Sequence, residues 1–198
     1  MVTITRELIQ AVRDRTGLGL MDCRKALEEA GGDIEQAVDS LRKKGAAVAI
    51  KRAGKETSEG VVQAYIHPGN KLGVLVEINC ETDFVANTSE VQQFANDLCM
   101  HIAALKPLYL SPAEVDPTFL EHEKDILRAQ LADSGKPANV IEKILEGKLV
   151  KLYSDICLLN QSFVKNDQLT VEQKVQELIG KTGEKIQIRR FSRFEIGA

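Results

Sequence analysis

Along Leu72–Ile78 the side chains alternate: Leu72, Val74, Val76 and Ile78 are interleaved with Gly73, Leu75 and Glu77. A period of two with one apolar face is the signature of a strand that covers a core on one side only. The run Val61, Val62, Ala64, Tyr65 and Ile66 precedes it, and His67-Pro68-Gly69-Asn70-Lys71 between them is turn chemistry, so the two form a hairpin. A third strand is expected far away, at Ile186–Ile196. If it joins the hairpin, the sheet closes around everything between, and the core is α+β: a small three-stranded antiparallel sheet with a helical layer.

The intervening stretch has helical spacing. Val91, Phe94, Leu98 and Ile102 recur at steps of three and four within Ser89–Leu105, and Lys106-Pro107 stops that helix. Phe119, Ile126, Leu127 and Leu131 mark the next, ended by Ser134-Gly135-Lys136-Pro137. A further helix carries Val140, Ile141, Ile144, Leu145, Leu149, Leu152 and Ile156, with a weak point at Gly147. These two are expected to form an antiparallel hairpin. Val171, Val175, Leu178 and Ile179 close the series behind the N-cap candidate Thr170.

Residues 1–52 read as a separate three-helix domain. Thr5 caps a helix bearing Leu8, Ile9 and Val12, and Thr16-Gly17-Leu18-Gly19 breaks it. Asp22 is placed to cap a second helix with Cys23, Ala26 and Leu27 inward. Gly31-Gly32 ends that helix, and Asp33 caps a third with Ile34, Ala37, Val38 and Leu41 inward. Such a unit is near the lower size limit for independent folding, and it resembles a ubiquitin-associated-type domain. Lys43 to Gly60 reads as a helix tail followed by a linker over 53–60, with the α+β core over 61–198. Lys and Arg outnumber Asp and Glu up to Lys55, and the balance reverses afterwards. Within the bundle, Leu18, Leu20 and Met21 crowd one short loop. Either they pack at the helix crossing, or they form an adaptable recognition surface.

Composition limits the chemistry. The net charge is −3, so the chain lacks the basic balance of a general nucleic-acid binder, and no direct nucleic-acid contact is expected. No apolar run reaches the length of a membrane span, and the start does not resemble a signal peptide, so a cytoplasmic protein without membrane contact is expected. Cys23, Cys80, Cys99 and Cys157 form no CxxC pair, and with His67, His101 and His122 they give no zinc spacing, so no metal is expected. One connection fails to make packing sense: Asn79-Cys80-Glu81-Thr82-Asp83-Phe84-Val85-Ala86-Asn87-Thr88, where Phe84 and Val85 sit among polar residues. Phe84 either folds back as a staple ahead of the next helix or stands out as an aromatic wedge beside a carboxylate.

Two long stretches carry a resemblance. Thr16-Gly17-Leu18-Gly19-Leu20-Met21-Asp22-Cys23-Arg24-Lys25-Ala26-Leu27 and Glu77-Ile78-Asn79-Cys80-Glu81-Thr82-Asp83-Phe84-Val85-Ala86 are similar to the two signatures of the bacterial elongation factor Ts family. Gly32-Asp33-Ile34-Glu35, Met100-His101-Ile102-Ala103-Ala104 and Arg193-Phe194-Glu195-Ile196-Gly197 fit in the same order. The resemblance implies a guanine-nucleotide exchange factor for elongation factor Tu, acting without covalent chemistry. It implies that Thr82, Asp83, Phe84 and Val85 enter the partner's nucleotide-binding domain near the bound magnesium, with Phe84 as wedge and Asp83 as its disturbing neighbour. Met100 and His101 would press near the same site, and Arg13, Leu20, Met21 and Arg24 would dock the N-terminal domain. Leu20 stands where some members have Met, which changes the shape of that contact. GDP, GTP and magnesium belong to the partner, and no cofactor of this chain's own is implied.

Long members of that family have a core of two similar halves, a coiled-coil insertion and a C-terminal module. This chain resembles a short form with one half-core, and a second copy could supply the missing half, giving a homodimer and a 2:2 complex. Two other classes are open to the residues alone. One is a ubiquitin-type binding module built on the N-terminal bundle, which leaves the core unexplained. The other is a small hydrolase with Cys80 as nucleophile, His101 as base and Asp83 as orienter, which lacks an oxyanion-hole glycine beside Cys80.

Overall fold

A computed structural model of the chain describes residues 3–132 and 137–197. These divide into two compact units. One takes the chain up to Gln63 with Val76–Asn96 and Gln173–Arg189; the other takes Ala64–Leu75, Asp97–Glu172 and the residues from Arg190 on.

The first unit begins with α1, Arg6–Thr16, capped as expected by Thr5, whose Oγ1 accepts the Leu8 N–H at 3.4 Å. Gly17 ends it in the left-handed region, φ 63°. Helix α2, Leu20–Glu29, starts from Gly19 rather than from Asp22. The chain reverses so tightly at Gly17 that the Gly19 carbonyl already accepts the Cys23 N–H at 3.1 Å. Asp22 therefore lies in the first turn, where its charge complements the helix dipole without capping it. Helix α3, Ile34–Arg52, starts at Asp33, whose Oδ1 accepts the Gln36 N–H at 2.9 Å. Ile9, Val12, Cys23, Ala26, Leu27, Ala37, Val38 and Leu41 form the bundle's own apolar core.

The strands follow the alternation. β1 is Glu59–Ile66 and β2 is Leu72–Cys80, with the His67 N–H donating to the Leu72 carbonyl at 2.9 Å to close the hairpin. Val74, Val76, Ile78 and Cys80 of β2 are buried. Next come a single helical turn, α4, Asp83–Ala86, and α5, Ser89–Leu105. Val91, Phe94, Leu98 and Ile102 of α5 are all buried, and Lys106 with φ 51° ends the helix ahead of Pro107.

Helix α6, Pro117–Ala132, packs on α7, Ala138–Ile156. The stop expected at residues 134–137 lies, apart from Pro137, outside the described residues. Gly147 does not break α7. It is exposed, and its cost of about 1 kcal/mol relative to Ala is outweighed by burial of neighbours such as Leu145. A two-stranded ribbon not anticipated from the sequence follows: β3, Ser162–Phe163, and β4, Asn166–Thr170. Its strands are too short to show a period.

Helix α8, Val171–Thr182, buries Val171, Val175, Leu178 and Ile179. In the first unit α3 crosses it at two glycines, close enough that a Cβ on Gly180 would lie 3.1 Å from the Gly45 Cα. Strand β5, Ile186–Glu195, then joins the sheet beside β2, in the order β1-β2-β5. The Ile196 N–H reaches the Lys71 carbonyl at 2.9 Å and the Lys185 N–H reaches the Glu81 carboxylate at 2.6 Å, so β5 runs antiparallel to β2. The α+β core with a three-stranded antiparallel sheet is the architecture the sequence predicts.

Candidate functional site

Residues 82–85 do not form an irregular loop. Thr82, in extended conformation, caps α4: its Oγ1 accepts the Val85 N–H at 3.3 Å and its carbonyl accepts the Ala86 N–H at 3.2 Å. One turn of helix can turn only one face inward. Ala86 is buried and Val85 half-buried, so Asp83 and Phe84 point outward. Phe84 is 85% exposed, among the most exposed large apolar side chains of the chain. The staple reading is thereby excluded: Phe84 packs against nothing of consequence in its own fold.

The turn that carries it is firmly held. The Glu184 carboxylate accepts the Thr82 N–H at 3.1 Å and the Thr82 hydroxyl at 2.8 Å. Glu81 accepts the Lys185 N–H, and its other oxygen accepts from the Arg52 guanidinium at 3.1 Å. Lys185 Nζ donates to the carbonyls of Ala53 and Lys55 at 2.8 and 2.9 Å. On the following side, Asn87 Nδ2 donates to the Asp83 carbonyl at 2.9 Å and Gln92 Nε2 to the Ala86 carbonyl at 2.8 Å. None of Glu81, Glu184, Lys185 or Arg52 was singled out from the sequence. The available signal was the pairing of β2 with β5, which brings the residues just after Cys80 near those just before Ile186.

Cys80 lies under this turn, its Sγ donating to the Thr82 carbonyl at 3.0 Å. Burial, and then the Glu184 carboxylate, push its thiol above the ordinary range, so it stays protonated at neutral pH. All four cysteines are buried thiols, and burial raises Cys99 to about 11.

In the other unit Met100 is half-buried and His101 is fully buried. The Val164 N–H donates to His101 Nδ1 at 3.2 Å, so Nδ1 carries no proton. Nε2 then carries it and faces Gln161 Oε1 at 2.9 Å. Gln161 Nε2 donates in turn to the Asp155 carbonyl at 2.8 Å, and Phe163 stacks on the imidazole with ring centroids 5.9 Å apart. Both ring nitrogens are committed inside the fold. His101, expected as a contact residue, is an internal strut of α5, and only Met100 of that pair reaches the surface. With both His101 ring nitrogens engaged by Val164 and Gln161, the hydrolase reading loses the base assigned to it.

On the N-terminal bundle Leu20 and Met21 are 54% and 74% exposed, so neither packs at the helix crossing. Leu18 takes that role, half-buried against the bundle core. Arg24, one turn on from Leu20, is exposed and donates from Nε to Glu28 at 2.8 Å. Arg13 is exposed in the last turn of α1. Leu20 and Met21 are thus two large apolar side chains left open to solvent at the start of α2. Among the described residues no three His, Cys, Asp or Glu side chains are arranged to hold a metal ion, and no helix is long and apolar enough to cross a membrane.

Comparison with known proteins places these features in context. The family model described as elongation factor TS matches residues 3–198. Elongation factor Ts of Carboxydothermus hydrogenoformans is 55% identical over 194 residues, covering 98% of this chain and 89% of that protein. Elongation factor Ts of Geotalea daltonii is 56% identical over 196 residues, 99% of this chain and 91% of that one. Elongation factor Ts of Caldanaerobacter subterraneus subsp. tengcongensis is 54% identical over 194 residues, 98% and 97% of the two chains.

The buried imidazole makes stability depend on pH. Burial lowers the His101 pKa below its ordinary value, so the neutral ring is favoured in the folded state. Its contribution is fully present above the unfolded-state pKa of about 6.5 and is lost as pH falls below it toward the folded-state value. Urea unfolding at pH 7.5 and pH 5.0 should show a loss of stability in wild type that His101→Leu reduces, although that variant is less stable at both pH values. Equal pH dependence in the two proteins would contradict the assignment.

Proposed function

The chain belongs to the elongation factor Ts family, and from that premise we propose that it is the guanine-nucleotide exchange factor of elongation factor Tu. The relatives' shared name supports a role in translation elongation. The observation that carries the mechanism is Phe84, 85% exposed on a turn braced from both sides. An aromatic ring held out to solvent contributes about 1.5–3 kcal/mol when another protein buries it. Thr82, Asp83, Phe84 and Val85 enter the partner beside its nucleotide and magnesium. Phe84 wedges apart the elements that hold GDP, and Asp83 adds a negative charge where phosphate and metal are held. Leu20 and Met21, with Arg13 and Arg24, dock the N-terminal bundle, in keeping with its likeness to ubiquitin-associated-type domains, which also offer a short apolar loop. Met100 adds a contact from α5, and His101 supports it from inside.

No bond is made or broken by this chain. It binds nucleotide-free partner more tightly than the GDP-bound form, and by linkage GDP or GTP weakens its grip by the same factor. GDP leaves, GTP enters, and the factor is displaced. Nucleotide and magnesium belong to the partner.

In the second unit Ile66, Leu75, Phe194 and Ile196 are all exposed and line one groove of about 540 Å³ on the sheet. Such a patch suits a second copy of the chain, which would complete the core and give a 2:2 complex.

Truncating the wedge separates exchange from folding. Phe84→Ala should keep stability within about 1 kcal/mol of wild type, because the side chain is exposed. It should accelerate release of labelled GDP from elongation factor Tu roughly thirtyfold less at saturation, the equivalent of about 2 kcal/mol of lost coupling. Asp83→Ala should show a smaller defect. Stopped-flow titration of each variant checks this, and wild-type acceleration by Phe84→Ala would sink the wedge. For the dimer, light scattering at micromolar concentration should give twice the chain mass for wild type and the chain mass for Phe194→Glu. A wild-type monomer, alone and with partner, would count against the 2:2 complex.

A further inference from the structure

Phe84 can wedge only if its turn holds its shape against the partner, and the contacts that hold its leading edge come from the far end of the chain. Helix α8 ends at Thr182, and Gly183, with φ 72°, turns the chain in the left-handed region that side chains disfavour. The Gly183 N–H stays on the Ile179 carbonyl at 2.8 Å, and the Glu184 N–H reaches Thr182 Oγ1 at 3.3 Å. This brings Glu184 to the start of α4, with one carboxylate oxygen on the Thr82 N–H and the other on the Thr82 hydroxyl.

The paired contact does more than add two hydrogen bonds. Because the Thr82 hydroxyl proton is given to Glu184, the hydroxyl oxygen presents its lone pairs to the Val85 N–H, which it accepts at 3.3 Å. Glu184 thus sets the rotamer in which Thr82 caps α4. The neighbouring residues repeat the exchange in the opposite sense, with the Glu81 carboxylate accepting the Lys185 N–H. Hydrogen bonds to an ionised carboxylate are roughly twice as strong as neutral ones, and a bidentate pair fixes orientation as well as distance.

We infer that Glu184 is a positioning residue for nucleotide exchange: it clamps Thr82 so that α4 presents Phe84 in the wedging orientation, without itself needing to touch the partner. The inference rests on the exchange-factor reading. A clamp that orients the wedge governs how far docking is converted into nucleotide release. It does not govern how tightly the rest of the surface docks.

Glu184→Gln keeps the size of the side chain, but with its amide oxygen on the Thr82 N–H it turns an NH2 group toward the Thr82 hydroxyl, which then accepts instead of donating and no longer has its lone pairs fixed toward the Val85 N–H. Titrated against elongation factor Tu loaded with labelled GDP, it should release nucleotide about tenfold more slowly at saturation than wild type. The half-saturating concentration should stay within about twofold, because the Leu20–Met21 surface is untouched. Thr82→Val should reproduce the defect, and the double variant should be no worse than either single one, since both remove the same clamp. In the protein alone, amide exchange at Val85 and Ala86 should speed up in Glu184→Gln while Val76 and Ile78 in β2 stay protected.

Full wild-type release by Glu184→Gln, or unchanged exchange at Val85 and Ala86, would overturn the inference and leave the exchange-factor reading standing. Parallel loss of maximal rate, half-saturation and β2 protection would reduce Glu184 to a fold-stabilising residue and also overturn it. If wild type itself failed to accelerate GDP release, the exchange-factor reading would fall, and the positioning role with it.

Discussion

The pairing of β5 with β2 is the constraint on which the remaining structure depends. Joining strands so distant in sequence costs loop-closure entropy, and that cost grows only slowly with loop length, so a well-packed apolar strand can offset it. Val76 and Ile78 of β2 and Ile186 and Ile188 of β5 are buried, which provides the burial. Register then follows from which face is apolar, since a slip of one residue would turn every side chain to the wrong side. With the register set, Glu81 and Thr82 meet Lys185 and Glu184, and the turn after β2 acquires supports that its own short sequence could not provide.

This explains how an apolar ring can be both exposed and ordered. A four-residue helix has almost no stability of its own, because nucleation consumes more freedom than one turn returns. Here the turn is capped by Thr82, gripped by Glu184, and tied on its far side by Asn87 and Gln92. Ordering is therefore completed during folding, and less of the ring's burial energy is spent on ordering the turn when a partner closes over it. Binding energy delivered at one stiff point can shift a partner between two states. The same energy spread over a soft loop would be absorbed by the loop.

Much of the fold was legible because its signals are local and repeated. Thr5 and Asp33 cap where the sequence places them, the α5 stripe is buried, and the strand at Ile186 joins the sheet. Asp22 misled because a tight glycine reversal let α2 begin three residues earlier, from Gly19. The exposure of Phe84 could not be read from a four-residue helix, which is shorter than the period needed to identify a face. His101 was more legible than its expected role suggests. It follows Phe94 and Leu98 at steps of four and three, on the buried stripe. The ribbon of β3 and β4 was too short to show a pattern, and the role of Glu184 was hidden because it depends on a strand pairing across most of the chain.

On the proposed wedge, Phe84 makes docking and nucleotide binding mutually exclusive in part. Calorimetric titration of this protein into nucleotide-free and into GDP-bound elongation factor Tu measures that coupling at equilibrium, without reference to rates. Binding should be much tighter to the nucleotide-free form, by the same factor by which the protein weakens GDP binding, and that ratio should fall markedly for Phe84→Ala with the affinity for the GDP-bound form little changed. Equal affinity of the wild-type protein for the two forms, or a ratio that Phe84→Ala leaves intact, would contradict the wedge.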